Sequence, residues 1–303
     1  MDTGRCLICN GKILTSFLDA RGVINGKNYP LVNCPSCSVA FTVDNIGEVR
    51  SDDSTGPTPS PAHLSKLEER YIRMRWRREI AFLKKFIEPG ASILDIGCGS
   101  GLFLEEAIRA GFKPEGIDTE TGNIPPKDQI RSRVFKIDVE TGNLPEKNYG
   151  AATFYHSLEH LSDPASALKK VGNILKKNGV IIVQVPNLDS WQFRVFKKRW
   201  FHLFLPYHLV HFSTGSLRLL FKQVGFEIVA VRHFSNRWNV EGWSASLMKW
   251  NPVWLLEAKK KGQFHMFQEY LYFFITILFF PVALTESIFR KGGIVTVVAR
   301  RTD

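Results

Sequence analysis

Residues 94–101 read "LDIGCGSG", with glycines at 97, 99 and 101 directly behind Asp95. The run before them, "SILDIG", is strand-like and the run after, "LFLEEAIRAG", is helical, so the glycines occupy a strand-to-helix turn. Glycine there admits positive φ and lets another group lie against bare backbone, while the amides opening the helix face an anionic group. The dinucleotide fingerprint asks for a third glycine three positions after its second; counted from Gly97 and Gly99, that position is Leu102. A nicotinamide dinucleotide is therefore disfavoured. What remains is an acid followed by alternate glycines, in which Asp95 can meet an ammonium group or an ordered water and the amides can meet a carboxylate.

Outward from the turn, "KPEGID", "RVFKID", "AATFYH" and "VIIVQVP" alternate with helical or loop segments, the pattern of βαβ units on a parallel sheet. Asp118 closes the first of these runs, 23 positions past Asp95, where a carboxylate can accept from both hydroxyls of a ribose. Asp138, with Val139 beside it, closes the second, placed to take the exocyclic amine of an adenine. Asp163 and Pro164 mark a helix start, and Gly179 reads as that helix's stop. "STGSLRLLFKQVGFEIVAVRHF" then gives a helix, a stop at Gly225 and a sixth strand, and "GGIVTVVARR" a seventh.

Two C-x2-C pairs, Cys6 with Cys9 and Cys34 with Cys37, have 24 residues between them. That spacing suits two knuckles presenting four thiolates to one tetrahedral zinc, a structural site because four thiolates leave no position open for substrate. The reading is a zinc ribbon over 1–46, a Ser/Asp/Gly/Pro-rich linker over 47–61, and a second domain over 62–303. The second domain opens with a helix, "HLSKLEERYIRMRWRREIAFLKKFI", whose basic residues read as a solvated face. No positive segment followed by an apolar one opens the chain, so the expectation is a cytoplasmic protein.

A formal charge of +11 favours encounter with anionic partners without specifying one. Residues 270–289, "YLYFFITILFFPVALTESIF", are apolar enough to draw attention and form the core of a helical insertion at about 264–290. A single crossing would leave the last strand on the wrong side of a bilayer. The options are peripheral contact at the inner face of the membrane, a shallow hairpin, or packing against a partner subunit in an oligomer. Lys259, Lys260, Lys261, Arg290 and Lys291 flank the segment.

"LDIGCGSG", "GID", "KID" and "SLEHLSDP" together resemble the class I S-adenosylmethionine-dependent methyltransferases, and the resemblance covers roughly residues 65–303. Within that superfamily the chain is similar to bacterial enzymes that pair an N-terminal zinc ribbon with this domain, and to ubiquinone-biosynthesis and sugar methyltransferases. The resemblance implies an α/β fold with a seven-stranded Rossmann-like sheet in order 3-2-1-4-5-7-6, strand seven antiparallel. It also implies that Gly97, Gly99, Gly101, Asp118 and Asp138 bind S-adenosyl-L-methionine, with Asp95, Val139 and His156 at the same site. Two departures stand out: "TETGNIPPKDQI" holds two prolines and allows only a short helix, and the acid often found before the fourth strand is absent from "NYGAAT".

Candidates for chemistry at the methyl group cluster in "YHSLEHL", with His156, Glu159 and His160, and in "PYHLVHF", with Tyr207, His208 and His211. Three readings stay open for the first cluster: a histidine general base, a second divalent metal, or hydrogen bonding that holds loops around the cofactor. The metal reading follows from a Glu-x-x-Glu-His arrangement in similar ubiquinone-pathway enzymes, whose first position here is His156. The expected function is methylation of a hydroxyl, or a carbon, of a small or lipid-linked acceptor. The alternatives are an RNA methyltransferase and a non-catalytic cofactor-binding or membrane-associated module. Nucleic acid is the weaker partner, since the aromatic residues are not interleaved with Lys and Arg as a stacking platform requires.

Overall fold

The computed structural model describes residues 5–11, 15–22, 26–43, 66–121, 128–235, 238–248, 271 and 274–302. The linker expected at 47–61, the lysines at 259–261 and the start of the apolar insertion lie outside the described residues.

In chain order the strands are β1 (Thr15–Arg21), β2 (Asn28–Asn33), β3 (Ala40–Thr42), β4 (Ser92–Ile96), β5 (Lys113–Asp118) and β6 (Val134–Lys136). They continue with β7 (Tyr149–Tyr155), β8 (Leu175–Pro186), β9 (Val210–His211), β10 (Phe226–Arg232) and β11 (Ile294–Arg301). The α-helices are α1 (Lys66–Leu83), α2 (Leu102–Arg109), α3 (Asp128–Arg131), α4 (Pro164–Asn173), α5 (Trp191–Phe196), α6 (Thr214–Gln223), α7 (Trp238–Leu247) and α8 (Phe280–Ile288). The chain divides into two compact units, one of residues 1–52, 185–219 and 231–296, the other of residues 53–184, 220–230 and 297–303.

The second unit is framed by a seven-stranded sheet in order β10-β11-β8-β7-β4-β5-β6. Counted from β4, this is the order 3-2-1-4-5-7-6 that the resemblance implies. The pairings β4–β5, β4–β7, β5–β6 and β7–β8 are parallel. Every residue of β7 is buried, as expected of a strand covered on both faces of a parallel sheet. Ile93, Ala151, Val180, Ile182 and Val298 from the sheet join Ile80, Leu83, Phe103 and Leu104 from α1 and α2 in one core. Trp76, Phe103 and Tyr155 meet there with ring centroids 5.2–5.4 Å apart.

Two local expectations need correction. The basic residues of α1 are not all solvated, because Arg73 bonds Glu69, Glu105 and Glu106 while Arg77 bonds Glu106, at 2.7–3.0 Å, clamping α1 to α2. Glu105 and Glu106 belong to α2, so these pairs could not be read from the α1 sequence alone. Gly179 does not stop α4, which ends at Asn173 with Ile174 as its C-cap. Gly179 sits instead where β8 shifts register against β7, between Leu175 opposite Tyr149 and Val180 opposite Ala151; a Cβ on it would come 2.8 Å from the Lys176 carbonyl.

In the first unit, β1, β2, β3 and β9 form an antiparallel sheet in that order. The cysteine-bearing segment thus shares a sheet with Val210 and His211, far along the chain. Ala20, Leu31 and Ala40 pack with Leu188, Phe193, Trp200, Leu203 and Leu205, and Val240, Trp243 and Ala283 form a smaller cluster between α7 and α8.

Candidate active site and cysteine cluster

The sequence order of the sheet makes a switch point at β4. From β4 the chain goes to β5 and β6 on one side, then returns to β7 and β8 on the other. Crevices at such points, beyond the carboxyl ends of the strands, are where open α/β sheets hold ligands. The candidate residues of the second unit converge there: Asp95 and the glycine turn follow β4, Asp118 ends β5, Asp138 and Val139 follow β6, and His156, Glu159 and His160 follow β7.

All three glycines have positive φ, at 74°, 52° and 72° for Gly97, Gly99 and Gly101. Two of them accommodate the protein's own side chains. A Cβ on Gly97 would lie 2.7 Å from Cβ of Ser157, and one on Gly101 would lie 2.9 Å from Cγ2 of Ile130. Ser157 is held in that position by donating its hydroxyl to the Ile96 carbonyl at 2.6 Å. The turn is closed by the Gly97 and Cys98 amides on the Ile117 carbonyl, at 2.9 and 3.2 Å. Gly99 donates its amide to Asp118 Oδ2 at 2.8 Å, and Glu120 donates its own to Asp118 Oδ1 at 3.0 Å. A carboxylate has about four lone-pair directions, so Asp118 shapes two loops and keeps acceptor capacity for a diol. Asp138 Oδ1 accepts from the Glu140 amide at 2.7 Å, leaving it half-buried in a turn with Val139 buried beside it.

Asp95 is buried and accepts from the Thr153 hydroxyl at 2.6 Å, a bond that bridges β4 and β7. Burial pushes its carboxyl up to about 7; the Thr153 bond opposes this and the charge of Asp118 adds to it. A cation placed at this point would draw Asp95 back to its ionised form. Cys98 is buried against Gly116, and burial with two neighbouring carboxylates pushes its thiol upward, which makes it a packing residue.

His156 has φ of 58°, and its amide donates to the Gln184 carbonyl at 2.9 Å. It precedes a single 3₁₀ turn, Leu158–His160, rather than sharing a helical face with Glu159 and His160. The left-handed residue still brings its Nδ1 to 3.2 Å from Glu159 Oε1. Glu159 is buried, and desolvation pushes it up to about 7 against the lowering effect of His160. His211 lies in β9 of the first unit, buried, with Nε2 3.0 Å from Thr42 Oγ1. Thr42 gives its only proton to the His208 carbonyl at 2.7 Å, so His211 is the donor through Nε2–H. Burial pushes it down to about 3, so it is neutral. His208 donates Nδ1–H to the His202 carbonyl at 2.9 Å.

Three positioning residues escaped the sequence reading: Thr153, Ser157 and Glu140. Glu140 accepts from the amides of Ser162 and Asp163 and the Ser162 hydroxyl, at 2.7–3.2 Å, tying the loop of Asp138 to the one that follows His160. The "Ser-x-Glu-His" string carried Ser157 in view, but nothing in it indicates a contact with residues 61 positions earlier.

In the first unit the four cysteine sulfurs lie within 4.8 Å of one another, with Cys6–Cys37 at 3.6 Å and Cys9–Cys34 at 3.5 Å. A zinc tetrahedron with bonds of about 2.3 Å has sulfur–sulfur edges of roughly 3.8 Å. The two knuckles repeat each other. Asn10 donates to the Cys6 carbonyl as Ser38 does to Cys34, and Cys6 donates to Gly11 as Cys34 does to Val39. Asn10 and Ser38 both take positive φ, 58° and 59°. Gly11 has no room for a side chain, since a Cβ would come 2.9 Å from Ser36 Oγ and 3.0 Å from Cys9 Sγ. Four soft donors at tetrahedral spacing fit a closed zinc site.

A family model described as a methyltransferase domain matches residues 69–231, and the chain belongs to that family. Its N-terminal cysteine cluster is compatible with a zinc ribbon. Among curated proteins it is similar to the ubiquinone biosynthesis O-methyltransferase of Pelagibacter ubique, 31% identical over 122 residues, which are 38% of this chain and 50% of that one. The corresponding enzyme of Xanthomonas campestris is 28% identical over 107 residues, 33% of this chain and 44% of that one. The chain thus spans about half the length of the curated relatives it matches. Among solved structures, a Galdieria sulphuraria protein described as a sarcosine dimethylglycine methyltransferase superposes with a TM-score of 0.52 at 14% identity, covering 82% of this chain and 92% of that one. The cyclase SpnF superposes with a TM-score of 0.50 at 18% identity over 74% and 80% of the two chains. A cyclase on this fold shows that the sheet alone does not name a reaction.

Proposed function

We propose that the chain transfers the methyl group of S-adenosylmethionine to a hydroxyl oxygen, or a carbon, of a small or lipid-linked acceptor, and that the four cysteines hold a structural zinc. The observation that carries the reading is the convergence of Asp95, the Gly97–Gly101 turn, Asp118, Asp138 and the His156–Glu159 pair at the carboxyl ends of four adjacent strands. Family membership and the ubiquinone O-methyltransferase relatives support the same reaction class.

When bound, S-adenosylmethionine supplies a methyl group on a sulfonium whose leaving group needs no proton. The chain's task is to hold the acceptor in line and, for a hydroxyl, to take its proton. Asp118 and Asp138 would hold the nucleoside, and Asp95 the ammonium end. With Glu159 ionised, Nδ1–H of His156 donates to Oε1 and the ring keeps its acceptor lone pair on Nε2. Nε2 is shielded from solvent in this structure, so an acceptor must displace what covers it to reach it; there the hydroxyl gives its proton to Nε2, and the Glu159 carboxylate stabilises the resulting imidazolium. Protonating Glu159 removes this support, so the rate rises with pH through about 7, the value to which burial pushes Glu159.

The test is transfer of labelled methyl from S-adenosylmethionine to fractionated extract, with a pH profile of kcat. Label is expected in lipid-soluble or small hydroxylated acceptors; label confined to RNA would overturn the acceptor class. Glu159→Gln should lower kcat by about 100-fold while leaving S-adenosylhomocysteine binding intact. An unchanged kcat and pH profile in that variant would assign the pair to loop structure instead.

A further inference from the structure

A helix packed on a protein core normally buries its apolar residues and turns its charges to water. The last helical stretch of the first unit, residues 274–278 and α8, does the reverse. Glu286 is the only acidic residue between 274 and 291, and it is fully buried. Its carboxylate accepts from Gln192 Nε2 at 2.6 Å, Trp243 Nε1 at 3.0 Å, and Asn239 Nδ2 and the Gly293 amide at 3.2 Å each. The outward positions are Phe274, Ile277, Leu278, Phe280, Ile288 and Phe289, between 45% and 70% exposed. Exposed apolar groups of this density mark an interaction surface.

Cations border the same end of this surface. Arg290 and Lys291 follow Phe289 directly. The Trp191 amide donates to the Lys291 carbonyl at 3.0 Å, and the Trp191 ring stacks on Phe289 at 5.4 Å. That contact holds the first residue of α5 against the end of the apolar stretch, and α5 with the 3₁₀ turn after it carries exposed Arg194, Lys197, Lys198 and Arg199 and no acid.

We propose that this face of the first unit docks on an anionic phospholipid surface, the apolar residues entering the headgroup–acyl boundary and the cations meeting lipid phosphates. The combination is what an interfacial helix requires. Among the described residues no helix is long and apolar enough to cross a membrane. The cations favour lipid phosphates over an uncharged apolar partner, and self-association with a second copy is an outcome that the test separates. The proposal does not depend on the reaction assigned above.

The test is sedimentation of the full chain with vesicles of phosphatidylcholine alone and of phosphatidylcholine mixed with phosphatidylglycerol. Binding is expected on the mixed vesicles and should weaken as salt rises. Lys197→Ala and Lys198→Ala should each lower partition about fivefold, and the pair Leu278→Glu and Ile288→Glu should abolish it. Unchanged circular dichroism and S-adenosylhomocysteine binding would show that the variants fold. No preference for anionic vesicles, or variants that bind like the wild type, would overturn the proposal. So would vesicle-free self-association that the paired Glu substitutions abolish while vesicle binding is absent in all forms.

Discussion

The amide of Gly99 points into the carboxylate of Asp118 across 2.8 Å, although 19 residues separate them. The acid expected to hold a ribose therefore also sets the conformation of the glycine turn. Asp118→Ala removes both functions, and a charge-assisted hydrogen bond contributes about 1.5–3 kcal/mol, so S-adenosylhomocysteine affinity should fall about 10- to 100-fold. Calorimetric titration measures this directly; wild-type affinity in the variant would remove Asp118 from the cofactor site.

Gly97 answers to Ser157. Gly97→Ala places a Cβ 2.7 Å from the Ser157 Cβ at a φ of 74°, which should cost roughly 2–4 kcal/mol from overpacking and left-handed strain together. Adding Ser157→Gly removes the steric part and should leave about 1–2 kcal/mol. Urea unfolding of the single and double variants separates the two causes. No recovery in the double variant would mean that the glycine is needed for conformation alone.

This pair also shows where sequence reading reached its limit. Periodicity exposed the strands and helices of the sheet, because apolar runs and glycine stops are local. Acids at strand ends marked the crevice for the same reason. The partners that shape the crevice are not local: Ser157 against Gly97, Thr153 on Asp95 and Glu140 on the loop after His160 all meet through the parallel sheet. His211 illustrates the converse. As a letter in "PYHLVHF" it is a titratable group near an aromatic loop, but its place in β9 beside Thr42 becomes visible only when β3 and β9 pair. Likewise, Glu286 in "LTESIF" reads as an interruption of an apolar run, although it is the residue that turns inward.

The cysteine knuckles give a metal prediction. Purified chain should carry one zinc, measured by plasma emission spectrometry, and Cys34→Ser should lose it. Removing zinc with a chelator takes away binding energy that exists only in the folded state, so the first unit should be destabilised by more than about 3 kcal/mol. Limited proteolysis should then cut first within residues 5–43. A chain that retains its unfolding midpoint after metal removal would show that hydrogen bonds of the two turns suffice.

Glu286 gives a pH prediction whose sign follows from burial. Desolvation, opposed by four hydrogen bonds, raises its carboxyl from 4.5 to about 7. The folded chain therefore holds more protons than the unfolded chain between those values, and unfolding free energy falls as pH rises through that window, by about 3 kcal/mol for this group. Asp95 and Glu159, both also raised to about 7, act in the same direction. Glu286→Gln should flatten the slope by about one third of the total. It should also lower stability at every pH, because an amide can replace Oε1 for Gln192, Asn239 and Gly293 but then turns its own N–H groups toward Trp243 Nε1–H. Pairing it with Trp243→Phe removes that clash of donors and should restore about 1–2 kcal/mol. Urea titrations of the three forms at pH 5 and pH 8 test both parts. A slope unchanged by Glu286→Gln would place the titrating carboxyl elsewhere.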